Sequence, residues 1–220
     1  MTKISLIHAT PLAIEPIHRA FESLWHDVEL MNLLDDSLSK DRNRILDNEA
    51  FFDQRIDSLS RYAMDCHADG ILFTCSAFGQ AIEKVASGHT IPILKPNEAM
   101  FRLALEQGTR IGLVATFKPA LQGMIEEFET MKRQLDKPDA VLETSLTEEG
   151  RWALDEGDAE QHNRLVALAA AGMPECDVYM LAHFSTACAK PLVEEAIDKV
   201  VLSSPESAVL FLRQHFSKRQ

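Results

Sequence analysis

Two apolar segments recur along this chain at nearly equal spacing, and the repeat constrains the fold more than any other feature of the sequence. The segment Ile4–Ile7 resembles Ile111–Val114, and an Ala-Thr pair follows each within a few residues. The segment Ile71–Cys75 resembles Tyr179–His183. The start of the first segment and the end of the second lie 71 residues apart in one copy and 72 in the other. Matched segments at matched separations indicate a duplicated fold.

Short apolar runs alternate with longer amphipathic stretches, which is the pattern of strand–helix units around a mostly parallel sheet. One long helix is predicted from Arg42 to His67. The fold class predicted is therefore α/β, with two similar open-sheet halves. Further strands are predicted at Val28–Leu33, Ile91–Leu94, Ala140–Glu143 and Val200–Leu202, and the second of these should lie at a sheet edge because it contains proline.

The composition fits a globular chain and excludes several classes of partner. Apolar residues make up 46% of the 220 residues and charged residues 25%, which argues against disorder. The formal net charge of -12 repels nucleic acid and anionic membranes. No apolar run is long enough to span a bilayer, and the N-terminal run is interpreted as a strand, not a signal peptide. We therefore expect a cytoplasmic protein with no nucleic-acid or membrane partner, and a homo-oligomer is compatible with the sequence.

Cysteine spacing and the glycine pattern argue against a disulfide framework, a zinc site and a nucleotide cofactor. No cysteine belongs to a Cys-x-x-Cys pair, and the chain has neither a Gly-x-Gly-x-x-Gly nor a Walker motif. Thiols this few and this scattered are typical of a reduced, cytoplasmic protein. We expect no cofactor and no metal. The four cysteines are Cys66, Cys75, Cys176 and Cys188.

Four predicted strand ends carry polar side chains suited to binding a small ligand. In open α/β sheets, ligands bind beyond the carboxyl ends of the strands. Each of these ends also opens a predicted helix, whose free backbone N–H groups favour an anion such as a carboxylate. The candidate substrate-binding residues are His8, Thr10, Thr74, Ser76, Thr116, Phe117, Ser185 and Thr186.

Cys75 and His183 are the candidate catalytic residues, because they end equivalent segments of the two copies. Cys75 lies between a buried strand and a helix N-terminus, a position that lowers the pKa of a thiol. An imidazole with the ordinary pKa of about 6.5 would let His183 pass protons at neutral pH. The alternatives are a buried packing cysteine and a hydrogen-bonded packing histidine. Cys66 and Cys176 are predicted to be structural, and Cys188 to lie in the helix after His183.

Three short motifs resemble the aspartate/glutamate/hydantoin racemase superfamily, which also includes arylmalonate decarboxylases and maleate isomerases. They are Thr74–Ser76, the turn Ala182–Ser185 and the strand Ile111–Thr116. The resemblance implies two pseudo-symmetric Rossmann-like halves, with the C-terminal helix returning to the first half and the active site between them. The halves would comprise residues 1–96 plus 203–220, and residues 97–202. The resemblance also implies cofactor-independent chemistry at a carbon next to a carboxylate or carbonyl.

The sequence differs from the amino-acid racemases of that superfamily at the second catalytic position and at two others. Those racemases place one cysteine from each half beside the substrate, whereas this chain has His183 in place of the second cysteine. They also have an acidic-Ser-Gly loop after the first strand and Asn after the first cysteine, where this chain has His8–Thr10 and Ser76. These differences argue against a two-thiol racemase and against glutamate or aspartate as substrate.

The leading hypothesis is a racemase or isomerase acting on a small carboxylate or cyclic amide. Cys75 would be the base or nucleophile, and His183 would exchange a proton on the opposite face. One alternative is a decarboxylase or cis–trans isomerase that needs only Cys75. Another is a non-catalytic protein that binds small carboxylates, because fold does not fix function.

Overall fold

Parallel strands form two four-stranded sheets in the computed structural model, which describes residues 1–45 and 48–218. The strands of the first sheet are β1 Lys3–His8, β2 Glu29–Leu34, β3 Gly70–Phe73 and β4 Ile93–Leu94. Those of the second are β5 Arg110–Ala115, β6 Val141–Leu146, β7 Val178–Leu181 and β8 Val200–Ser203. The orders β2-β1-β3-β4 and β6-β5-β7-β8 are equivalent, and all the pairings are parallel. The predicted duplicated α/β fold is confirmed.

Helices connect the strands in both halves, as parallel neighbours require. The α-helices are α1 Ile14–Leu24, α2 Ser37–Arg44, α3 Glu49–Asp65, α4 Gly79–Ser87, α5 Glu98–Gln107, α6 Lys118–Gln134, α7 Glu148–Asp155, α8 Ala159–Ala171, α9 Lys190–Ile197 and α10 Ser204–Ser217. Single turns of 3₁₀ helix at Pro11–Ala13 and Ser76–Phe78, and a longer one at Phe184–Ala189, follow β1, β3 and β7. Three of the four strand ends predicted to bind a ligand therefore lead first into 3₁₀ helix, which the sequence analysis did not predict.

The single helix predicted from Arg42 to His67 is wrong at its start. Helix α2 ends at Arg44, and α3 begins at Glu49. The side chain of Asn48 accepts a hydrogen bond from the backbone N–H of Phe51 at 3.2 Å, so it caps α3 as a new helix. Residues 46 and 47, which the predicted helix included, lie outside the described residues.

The hydrophobic core crosses from one half to the other. Strands β1, β3, β5 and β7 are the inner strands of their sheets and are almost entirely buried. One core cluster contains Ile71 of the first sheet together with Ile111 and Met180 of the second. Strand β4 lies at an edge, as predicted, although it is shorter than the predicted Ile91–Leu94 and begins just after Pro92. A continuous core holds the carboxyl ends of the two sheets close together.

Helix α10 packs against α1 and also against α5. Its residues Val209 and Leu212 are fully buried in a cluster with Ile17 and Phe21 of α1. Helix α1 belongs to the predicted first half and α5 to the predicted second half, so these contacts do not assign α10 to one of them. The division into residues 1–96 plus 203–220 and residues 97–202 therefore stays a prediction. Within residues 1–45 and 48–218, no helix combines the length and apolarity needed to cross a membrane.

Candidate active site

Cys75 and His183 follow the equivalent strands β3 and β7, and both line one small cavity between the sheets. Its volume is about 30 Å³, room for one or two water molecules. A substrate can therefore enter only when the surrounding loops part. The cavity is lined by Thr10, Ala13, Ser39, Thr74, Cys75, Ser76, Phe117, Arg151, His183, Phe184 and Ser185.

All but three of the residues predicted for the site line this cavity. His8 is fully buried behind its wall and is hydrogen-bonded to Thr74. Thr116 is buried beside Gly150 of α7. Thr186 is buried and bonds to backbone carbonyls within its own turn. Because these three side chains are enclosed by protein, we no longer expect them to touch the substrate directly.

The Cys75 side chain is half-buried at the start of the 3₁₀ turn. Burial raises the pKa of the thiol, and the Ala77 N–H, the charge of Arg151 and the Ser39 hydroxyl only partly oppose that rise. The lowered pKa predicted from the sequence is therefore wrong for this closed state. A single 3₁₀ turn supplies too few donors to offset the loss of water, and Cys75 is a thiol at neutral pH.

The His183 ring is held by one bond at each nitrogen. Its Nε2 accepts a hydrogen bond from the backbone N–H of Phe117 at 3.3 Å, so the proton of the neutral ring is on Nδ1, which donates to Ser76 Oγ at 3.1 Å. Burial, and after it the positive charge of Arg151, lowers the pKa of His183 to about 3. The ordinary pKa expected from the sequence is wrong, because the ring is largely desolvated by the protein around it and lies near a cation.

His183 also has an unusual backbone conformation, with φ 69° and ψ 139°. Positive φ is rare for residues other than glycine and costs on the order of 1–3 kcal/mol. Thr186 holds the turn, since its hydroxyl bonds to the carbonyls of Ala182 and His183 and its N–H bonds to the His183 carbonyl at 3.2 Å. Strain retained at such a position is typical of a functional residue.

The other three thiols do not line the cavity. Cys66 follows the end of α3, and Cys176 is buried with its Sγ 3.2 Å from the Pro174 carbonyl oxygen. Cys188 lies in the 3₁₀ segment after His183, not in α-helix, and its thiol donates to Asn163 Oδ1 at 3.2 Å. Cys75 is thus the one thiol placed beside His183.

No family model and no curated protein matches this chain. Solved structures do match, over nearly its full length. An aspartate racemase from Picrophilus torridus superposes with a TM-score of 0.74 at 14% identity, covering 98% of this chain and 94% of that one. A glutamate racemase from Francisella tularensis in complex with D-glutamate gives 0.74 at 13% identity, covering 99% and 81%. An allantoin racemase from Klebsiella pneumoniae gives 0.63 at 12% identity, covering 99% and 88%.

The chain has the same fold as these three racemases. This agrees with the resemblance of the three sequence motifs. At such identities the likeness establishes the racemase fold, and the chemistry has to be argued from the residues of the cavity.

Two cavity residues of this racemase fold were missed in the sequence, and the repeat relates them to one another. Ser39 lies five residues beyond Leu34, where β2 ends, and Arg151 lies five residues beyond Leu146, where β6 ends. Each belongs to the helix that follows its strand, α2 or α7. Comparing the ends of β2 and β6 as a third equivalent pair of strands would have predicted both residues.

Arg151 is the single cation in the cavity wall. Its Nε donates to both carboxylate oxygens of Asp155, at 2.9 and 2.8 Å, and its guanidinium lies 5.7 Å from the centre of the Phe117 ring. Neither terminal nitrogen has a hydrogen-bond partner within residues 1–45 and 48–218. Asp155 thus holds the guanidinium in place, and the N–H groups of its terminal nitrogens remain available to a ligand.

A larger cavity of about 440 Å³ adjoins the first and shares Ser76 with it. Helix α4 of the first half and α6 of the second contribute to its walls. Inside it, Lys95 forms ion pairs with Glu83 at 2.6 Å and with Glu127 at 3.2 Å, so it links the two halves. Burial raises the pKa of Glu127 to about 7, against the opposing charge of Lys95. These ion pairs line the cavity, and neither Cys75 nor His183 is part of its wall.

Proposed function

We propose that this protein is a cofactor-independent racemase or isomerase that acts at the carbon next to a carboxylate or carbonyl of a small molecule. One observation supports it above all: Cys75 and His183, from equivalent strands of two similar halves, line one enclosed cavity together with Arg151. Inverting a carbon centre requires an acid and a base on its opposite faces, and a duplicated fold supplies one group from each side. Proteins of the same fold are described as aspartate, glutamate and allantoin racemases.

The protonation states of the closed site suit a transfer of one proton. Cys75 is a thiol, which can donate, and His183 is a neutral imidazole, which can accept. Movement of the imidazole away from the Phe117 N–H, a bond of 3.3 Å, frees Nε2 as the acceptor. It also frees a backbone donor at the start of α6, where negative charge on an enolate would be stabilised.

Arg151 favours a small acid over a neutral cyclic amide as the substrate. Its two terminal nitrogens have the planar geometry that binds carboxylates through paired hydrogen bonds. A carboxylate beside it would also offset the charge that lowers the pKa of His183. Substrate binding would thereby make the imidazole a stronger base at the moment it is needed.

Arg151→Gln is expected to weaken binding of carboxylate substrates by roughly 10- to 150-fold, because it removes a charged hydrogen-bond donor. The pKa of His183 should rise in the free protein, since the positive charge of Arg151 lowers it. KM and an NMR titration of the His183 ring measure the two effects. Arg164→Gln, at an arginine of α8 paired with Glu160, is the matched control. Unchanged carboxylate binding in Arg151→Gln would exclude this role.

The proposed function is tested by hydrogen exchange at carbon. A panel of single-enantiomer small carboxylic acids and hydantoins is incubated with the protein in D₂O and followed by ¹H NMR and optical rotation. We expect at least one acid to lose its α-hydrogen signal and its optical activity together. Binding of these compounds without any turnover would support the non-catalytic alternative instead.

A one-cysteine decarboxylase or cis–trans isomerase is the second candidate. It is supported by the pKa of about 3 and by the Phe117 N–H bond, because both keep His183 from carrying a proton in the closed state. In the same assay it would release carbon dioxide or rearrange a double bond, without racemising a chiral acid.

A further inference from the structure

Four polar side chains form a continuous hydrogen-bonded chain from the surface helix α1 to the wall of the reaction cavity. His18 on α1 and His8 at the end of β1 both place Nε2 3.0 Å from Oδ1 of Asn32 on β2. His8 Nδ1 lies 2.9 Å from Oγ1 of Thr74, the residue that precedes Cys75 and lines the cavity. His8 and Thr74 are among the predicted substrate-binding residues, but the proposed mechanism does not use the chain that joins them.

The direction of each bond follows from the chemistry of its atoms. Asn32 Oδ1 can only accept, so both imidazoles donate to it from Nε2–H. The neutral ring of His8 then has no proton on Nδ1, which accepts from the Thr74 hydroxyl. The other inward neighbour of that hydroxyl, the Ile7 carbonyl at 3.3 Å, is an acceptor too. The hydroxyl hydrogen therefore points into the protein, and an oxygen lone pair remains for the cavity.

The burial of His8 keeps its ring neutral and in one tautomer. The ring is fully buried, and burial lowers its pKa, opposed by the bond to Asn32 and reinforced by His18. His18 is the one titratable group within the described ranges that acts on it. A neutral ring bonded at both nitrogens cannot change tautomer without losing a buried hydrogen bond.

We propose that His8 is a positioning residue that presents Thr74 to the cavity as a hydrogen-bond acceptor and so selects substrates with an N–H or O–H donor beside the reacting carbon. The selection rests on the proposed function, whereas the state of His8 does not. Hydroxy and amino acids would bind better than the same acids without the donor, by roughly 2- to 12-fold for one hydrogen bond.

Asn32→Asp changes the direction of the bond between His8 and Thr74. A carboxylate beside the His8 ring raises the pKa of the imidazole and favours its doubly protonated form. His8 Nδ1 then donates to Thr74 Oγ1 and takes up one of its lone pairs, while the hydroxyl hydrogen is left to the Ile7 carbonyl. Asn43→Asp, at an exposed position of α2, adds the same charge elsewhere and is the matched control. Thr74→Val keeps the shape of the side chain and removes the hydroxyl, and serves if Asn32→Asp does not fold.

The state of His8 is measured by ¹⁵N NMR of its ring in the intact protein. We expect a neutral ring with the proton on Nε2 in the native protein and in Asn43→Asp, and a doubly protonated ring in Asn32→Asp. A native ring with its proton on Nδ1, or doubly protonated at neutral pH, would overturn the proposal.

Selection is measured with three probes that share one skeleton: succinate, 2-hydroxysuccinate and 2-aminosuccinate. The native protein should bind the two donor-bearing acids more tightly, and Thr74→Val should bind all three alike. Asn32→Asp should show a weaker preference, because His8 now occupies one of the Thr74 lone pairs. Equal binding of all three by the native protein refutes the selection. If none of the three acids binds, the proposed selection is wrong. The proposed function is then still tested by α-hydrogen exchange on the wider panel. The state of His8 is tested by its ¹⁵N spectrum alone.

Discussion

Replacing Cys75 with serine is expected to lower turnover by at least roughly 10²–10⁴-fold, the contribution of a positioned proton-transfer group. A serine hydroxyl fills nearly the same space but is far less acidic than a thiol, so it cannot exchange a proton with carbon at neutral pH. The loss should appear equally in α-hydrogen exchange and in racemisation, because both need the same proton transfer. It should be a loss of kcat, with substrate binding retained, since Arg151 and the backbone donors remain.

Cys66→Ser is the matched control, because Cys66 is also a half-buried thiol but follows α3, away from the cavity. Urea unfolding of both variants distinguishes loss of chemistry from loss of fold. If Cys75→Ser keeps its activity while remaining folded, then Cys75 only packs, and both the racemase and the one-cysteine hypotheses are wrong.

The fold could be predicted because the inner strands are buried on both faces. Such strands are continuous apolar runs, and Ile71–Phe73 and Tyr179–Leu181 are visible as a repeated pair without any tertiary information. Topology then determines that their carboxyl ends meet, so the positions of Cys75 and His183 follow from the repeat.

The edge strands and the electrostatics were harder to predict. Strand β6 is half-exposed and polar, so the predicted strand Ala140–Glu143 stops short of its end at Leu146. Helix α7 with Arg151, which follows, was not predicted. The pKa directions of Cys75 and His183 depend on how tightly the two halves close over them. That closure is a property of packing between distant segments, which local sequence does not encode.

His183→Asn is expected to lower turnover by roughly 10²–10⁴-fold if His183 exchanges a proton with the substrate. Asparagine is suited to this position because it tolerates positive φ better than most residues, and its amide nitrogen can replace Nδ1–H as a donor to Ser76 Oγ. It cannot carry a proton, so the variant separates proton transfer from shape. The measurement is racemisation of the native substrate, with the exposed His89→Asn as the control for a histidine lost elsewhere.

His183→Cys gives the second half of the test. A thiol at this position restores a proton-carrying group opposite Cys75, so this variant should retain or regain racemisation that His183→Asn lacks. Recovery by a second thiol is expected of a proton-transfer partner and not of a residue that merely shapes the pocket. If instead His183→Asn keeps full activity while Cys75→Ser has none, the chemistry needs one cysteine only. The lyase or cis–trans isomerase is then the correct function, and His183 serves to close the cavity.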